Sequence, residues 1–183
     1  MSTLSVSTSR LPLALAGLAL LLTAGCSGGD TDSVEQTGTS ATPTLASTGS
    51  CTPAGTGTTD LTTKPVVVVP KTPAPTETTS VDIVCGTGAE AKEGTQVEVK
   101  YVGVLYADGS EFDASWKGGA DNTFPFTVGS GVVAGFSKGV TGMKVGGRRA
   151  VTIPAVDGYG ESGSGPIPGG ATLIFVIDLV KAT

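Results

Sequence analysis

The sequence predicts an α+β domain in which a twisted, mostly antiparallel sheet wraps around one short helix. Short runs of β-branched and alternating residues recur between glycine, proline and aspartate clusters from Val66 onward, the pattern of half-buried strands joined by turns. A single segment, "VVAGFSKGVTGM", instead repeats its apolar residues at intervals of three and four, as one buried face of a helix does.

Taken in order, "PVVVVP" and "SVDIVC" are β-branched runs with strand character. "QVEVKYVGVLY" alternates, placing Val97, Val99, Tyr101, Gly103 and Leu105 on one face and Glu98 and Lys100 on the other. The Asp-Gly pair of "ADGSEF" turns the chain after that strand. "FPFTVG" and "RRAVTIP" follow as strands, and "ATLIFVIDLVK" is apolar on both faces apart from Asp178. Such a run belongs in the middle of a sheet or beneath a covering element. In the helical segment Val133, Phe136, Val140 and Met143 share a face, while Gly135 and Gly139 lower its intrinsic propensity. The helix is therefore expected to be short and held by packing.

The first third of the chain has a different texture. Arg10 precedes "LPLALAGLALLLTAGC", a short apolar run ending in small residues, which is the plan of a secretory signal over residues 1–25. A spanning helix needs about 20 apolar residues. The end of the run, "LLTAGC", resembles the lipobox of bacterial lipoproteins, with Thr23 where leucine is usual. That resemblance implies cleavage before Cys26, lipidation of Cys26, and attachment to the outer side of a cell membrane by a lipid anchor. Residues 26–63, rich in Ser, Thr and Gly, show neither strand nor helix periodicity and read as a flexible tether, leaving residues 64–183 as the folded domain. With Cys26 modified, Cys51 and Cys85 remain as an even pair in an oxidising setting, where a disulfide is favoured over two free thiols.

Composition removes several classes of function. Net charge is −5 and Lys and Arg are scattered, which argues against a nucleic-acid partner, since phosphate recognition needs a basic face. "GGRR" at 146–149 reads as a solvated turn rather than a binding patch. The chain has no histidine, which excludes Ser/His/Asp and Cys/His catalysis and imidazole metal sites. The cysteines lack metal or CxxC spacing, so no metal and no cofactor are expected. "GSG" and "VGG" lack the Lys-Ser or Lys-Thr of a phosphate loop.

Three blocks carry a family resemblance: "GTGAEAKEGTQVEVKYVGVLYADGSEFDAS", "VVAGFSKGVTGMKVGGRRAVTIP" and "GYGESGSGPIPGGATLIFVIDLVK". In this order and spacing, across roughly residues 80 to 182, the chain resembles the FKBP-type peptidyl-prolyl cis/trans isomerases. The resemblance implies a pocket for a proline side chain between sheet and helix, proline-containing polypeptides as substrates, macrolide-type inhibitors and a monomeric state. Phe136 matches the pocket floor, where many relatives have tryptophan. Tyr101, Phe112, Phe124, Val133, Ile167 and Phe175 match wall positions, and Asp113 the carboxylate beside the amide. Tyr159 matches the tyrosine whose hydroxyl donates to the substrate carbonyl, with the backbone N–H of Ile167 as a second donor.

Departures from the family pattern fall around the same site. "VGSGVVAGF" is one residue short, Gly131 stands where a polar residue is common, and Lys117 is the nearest candidate for the arginine that pairs with the Asp113 position. Singly, Phe136 and Phe175 fit a core, Tyr101 a packed strand face, Asp113 a loop acid and Tyr159 a loop anchor; only their joint order points to a pocket. A non-catalytic proline-binding module on the same fold is the main alternative. The Tyr159–Ile167 loop is too short for an inserted chaperone domain, and the single helix counts against an immunoglobulin-like sandwich.

Overall fold

The computed structural model describes residues 51–183 apart from Thr56; the signal segment, Cys26 and the first part of the tether lie outside the described residues. Among the described residues the strands are β1 (Thr79–Val84), β2 (Gln96–Leu105), β3 (Glu111–Ala114), β4 (Phe124–Thr127), β5 (Arg148–Ile153) and β6 (Leu173–Ala182), with one α-helix, α1 (Ala134–Val140), between β4 and β5. They form a six-stranded sheet in the order β1-β5-β6-β2-β3, with β4 also paired to β2. Every pairing is antiparallel. The most apolar segment, β6, lies between β5 and β2 and is covered on both faces, as its composition requires.

On the inner face Val97, Val99, Val151, Ile153, Phe175, Ile177 and Leu179 pack against Phe136, Val140 and Met143. The two helix glycines have a steric reason. A Cβ on Gly135 would lie 2.3 Å from Ile153 Cγ2, and one on Gly139 would lie 2.6 Å from Val151 Cγ1. Helical propensity is given up so that α1 can approach β5 this closely. Arg149 fixes the helix end, donating from Nη1 to the carbonyls of Gly139 at 2.9 Å and Thr141 at 3.1 Å while pairing with Asp82 at 2.6 Å.

The outer face has its own apolar cluster of Val102, Val104, Ala114 and Ile174, against which Val67, Val69, Tyr106 and Trp116 pack. "PVVVVP" is therefore not a ladder strand. It runs across the outer face with Val67 and Val69 turned inward and Val66 and Val68 exposed. Proline at each end lacks a ladder donor, and alternation alone provides the covering face.

Residues 51–63, assigned by composition to the tether, are likewise bound to the sheet. Cys51 is bridged to Cys85 with Cα atoms 5.8 Å apart, and the N–H groups of Ala54 and Gly55 donate to the Asp82 carbonyl. Arg148 accounts for the rest: its guanidinium donates to the carbonyls of Thr58 (2.6 Å), Asp60 (3.1 Å) and Thr63 (3.2 Å) as well as to both Asp178 oxygens. The solvated turn read from "GGRR" is thus replaced by two arginines buried at the start of β5. Backbone carbonyls, which any residue supplies, hold the segment, so its composition gave no sign of docking.

Candidate active site

The inner face opens beside α1 into a cleft of about 500 Å³ lined by Tyr101, Phe112, Asp113, Phe124, Val133, Phe136, Tyr159, Ile167 and Phe175, with Gly131, Val132 and the 164–166 tip completing its rim. All nine residues assigned to the site from sequence are brought together there. A larger hollow of about 630 Å³ lies by Cys51, Asp82, Lys144 and Arg149. Its Asp82 and Arg149 are paired to one another, and none of its lining residues among those described is aromatic.

Strand geometry sets the cleft floor and walls. Tyr101 and Phe175 come from the adjacent strands β2 and β6, where Tyr101 is opposite Ile177 and Gly103 is opposite Phe175. Phe136 meets Phe175 edge to face with centroids 5.1 Å apart, and Tyr101 makes edge contacts to Phe124, Phe136 and Phe175 at 5.8, 5.9 and 6.0 Å. Phe112 closes the other side against Phe175 at 5.5 Å. These are favoured aromatic arrangements, and they leave a rigid apolar box. Phe126 backs it, 5.5 Å from Phe136 and 6.0 Å from Phe124; the alternation of "FPF" in β4 was the available signal for it. Gly103 makes room: a Cβ there would meet Phe112 Cζ at 2.6 Å and Phe175 Cε1 at 2.8 Å.

Polar groups are few and placed at the rim. The Tyr101 hydroxyl donates to Asp113 Oδ2 at 2.5 Å, and the Ala114 N–H donates to Asp113 Oδ1 at 2.9 Å. Burial first, then the Asp113 hydrogen bond, pushes the Tyr101 phenol above its usual range, so it remains a donor. Lys117 lies 3.6 Å from Asp113 Oδ1, with both side chains more than half exposed; this is a loose contact without the fork of an arginine. Tyr159 is 38% exposed, and among the described residues its hydroxyl has no hydrogen-bond partner.

One donor differs from expectation. The Ile167 N–H donates to the Ser164 carbonyl at 2.9 Å, and the Ser164 N–H donates back to Ile167 O at 2.9 Å. The loop tip consumes its own polar groups in a tight turn, so Ile167 offers the cleft only its side chain. Val133 lines the cleft just before α1, and its N–H has no acceptor among the described residues.

Comparison with known proteins agrees with this geometry. The profile of the family described as FKBP-type peptidyl-prolyl cis-trans isomerase matches residues 88–180. A probable FK506-binding protein of Corynebacterium glutamicum is 49% identical over 119 residues, covering 65% of this chain and 98% of that protein. An FK506-binding protein of Streptomyces anulatus is 47% identical over 119 residues, covering 64% and 95%. Among solved structures, FkpA from Escherichia coli superposes with a TM-score of 0.54 at 32% identity over 58% of this chain and 48% of that one.

Proposed function

The chain belongs to the FKBP-type peptidyl-prolyl cis-trans isomerases, and from that premise we propose that the aromatic cleft binds prolyl bonds of exported or cell-envelope polypeptides and eases their rotation. The peptide bond before proline has a small cis/trans preference but a barrier of about 18–20 kcal/mol, because twisting removes amide resonance. Uncatalysed exchange takes tens of seconds or longer. No bond to the substrate has to be made. The catalyst must bind the twisted amide better than either planar form.

The observation that carries this reading is the aromatic box itself. Tyr101, Phe112, Phe124, Phe136 and Phe175 enclose an apolar volume whose lining contains one carboxylate, Asp113, held by Tyr101. A twisted amide has lost part of its charge separation, so a dry apolar wall favours it over the planar states that water solvates better. In this reading the proline ring rests on Phe136, Asp113 stands beside the amide, and the Tyr159 hydroxyl and Val133 N–H donate to substrate carbonyls. The same cleft would take macrolides of the kind for which the FK506-binding relatives are named.

The exported setting is supported by the apolar run ending at Cys26 and by the Cys51–Cys85 bridge, since disulfides persist in oxidising compartments. Lipidated Cys26 then anchors the protein outside the membrane. Cell fractionation of Cys26→Ser tests the anchor, and retention in the membrane fraction would refute it.

The site is tested by isomerisation of a short prolyl peptide. The parent should accelerate it, Phe136→Leu and Asp113→Ala should each lower kcat/KM, and Tyr159→Phe should do so to a smaller extent. Unchanged rates in all three folded variants would place the chemistry elsewhere.

A further inference from the structure

The loop that carries Tyr159 has little packing to hold it. Val156 is 82% exposed, and its neighbours Gly158 and Gly160 contribute no side chains. Upstream, the buried Pro154 anchors the start of the loop through the turn bonds Asp157 N–H to Pro154 O and Gly158 N–H to Ala155 O, each at 3.0 Å, but no backbone bond of this turn reaches Tyr159. The downstream side is fixed where the Gly170 N–H donates to Gly160 O at 3.0 Å.

Beyond Pro154, the side-chain tie on the upstream side is made by Asp157. Lys138 Nζ donates to its two carboxylate oxygens at 2.7 and 2.8 Å, and the Thr78 hydroxyl donates to Oδ2 at 2.6 Å. Lys138 is on α1, two residues after Phe136, and Thr78 immediately precedes β1. A single carboxylate therefore joins three elements: the helix that bears the cleft floor, the entry to β1, and the loop whose tyrosine comes two residues later. Its side chain is 18% exposed against 59% for Lys138. A pair this exposed adds little to global stability, whereas a fixed geometry is what a preorganised donor requires.

We propose that Asp157 is a positioning residue for isomerisation, setting the Tyr159 loop over Phe136 by its joint hold on Lys138 and Thr78. The proposal rests on the reading that Tyr159 meets the substrate carbonyl. Releasing the tie lets the loop swing about Gly158 and Gly160, so the hydroxyl is no longer in place when the amide twists, and misplacement of this order is costly to rate.

The test uses the full chain and a short prolyl peptide. Asp157→Asn and Lys138→Met should each lower kcat/KM by about tenfold, mainly through kcat, with thermal midpoints little changed, while Lys138→Arg retains parent activity. In a Tyr159→Phe background, Asp157→Asn should produce no further loss, which a general structural defect would not mimic. Amide exchange broadening confined to residues 156–160 in Lys138→Met would give the same answer without catalysis. Parental kcat/KM in both tie variants, or an equal further loss in the Tyr159→Phe background, would overturn the proposal. If Tyr159→Phe is itself as active as the parent while Phe136→Leu is impaired, the Tyr159 reading fails and the proposal fails with it. A loss in Tyr159→Phe but none in Asp157→Asn refutes the tie alone.

Discussion

Arg148 and Asp178 form a two-point ion pair, Nε to Oδ1 at 2.5 Å and Nη2 to Oδ2 at 2.7 Å, with the arginine fully buried and the aspartate 2% exposed. The remaining guanidinium donors go to the carbonyls of Thr58, Asp60 and Thr63, so every N–H of the group is used. One side chain thus holds β5 to β6 and the N-terminal segment to both. Arg148→Met strands a buried carboxylate and should cost about 3–5 kcal/mol in urea unfolding. Adding Asp178→Leu should recover only part of that loss, because the segment's carbonyls stay unpaired. A loss below about 1 kcal/mol in the single variant would show that the pair is not buried in solution.

The Cys51–Cys85 bridge closes a loop of sequence separation 34. In the chain-entropy model a loop of that size contributes about 4 kcal/mol. Reduction, or Cys51→Ser with Cys85→Ser, should lower the urea midpoint accordingly. Trp116, the single tryptophan, packs on the same cluster as Val67 and Val69, so its fluorescence should report release of the segment. An unchanged midpoint on reduction would mean that the bridge closes little entropy in the unfolded chain.

Gly103→Ala adds one methyl group between Phe112 and Phe175, within 2.8 Å of both rings. Phe175 cannot retreat easily, as it is already in edge contact with Phe136 and Tyr101, so the half-buried Phe112 must shift into the cleft. Overpacking of this kind costs about 1–3 kcal/mol. It should also narrow the cleft, raising KM for a prolyl peptide although no polar group is touched. A stable variant with the parent KM would mean that the aromatic wall is softer than its contacts imply.

The sheet and helix were legible because their signals are local: alternation in β2, two-faced apolarity in β6, and the three-and-four spacing of Phe136, Val140 and Met143. The cleft was legible through resemblance, since Tyr101, Phe112 and Phe175 look like ordinary core residues until β2, β3 and β6 are placed side by side. Three features were not. The docking of residues 51–63 depends on backbone carbonyls, the burial of Arg148 depends on a partner thirty residues away in β6, and the engagement of the Ile167 N–H depends on a turn closed by Ser164. Pairings that any residue can supply, or that join distant parts of the chain, leave no periodic mark.

Acid should dissolve the Asp157 tie in a defined window. The Lys138 hydrogen bond first, and the Thr78 hydroxyl second, hold the Asp157 carboxyl below its ordinary value of 3.8. A carboxylate depressed in the folded state stabilises fully above its unfolded value, and that contribution is lost as pH falls through the folded one. The difference in urea midpoint between the parent and Asp157→Asn, small because Lys138 is exposed, should therefore stay constant from about pH 7 to about pH 5, then vanish below about pH 4. Glu98, lowered by Lys181 and Thr123, is common to both proteins and cancels in the comparison. Added salt should narrow the gap at neutral pH as well, because Lys138 is 59% exposed and such a pair is screened. A gap that persists unchanged to about pH 2 would show that the aspartate acts through its shape and not through its charge.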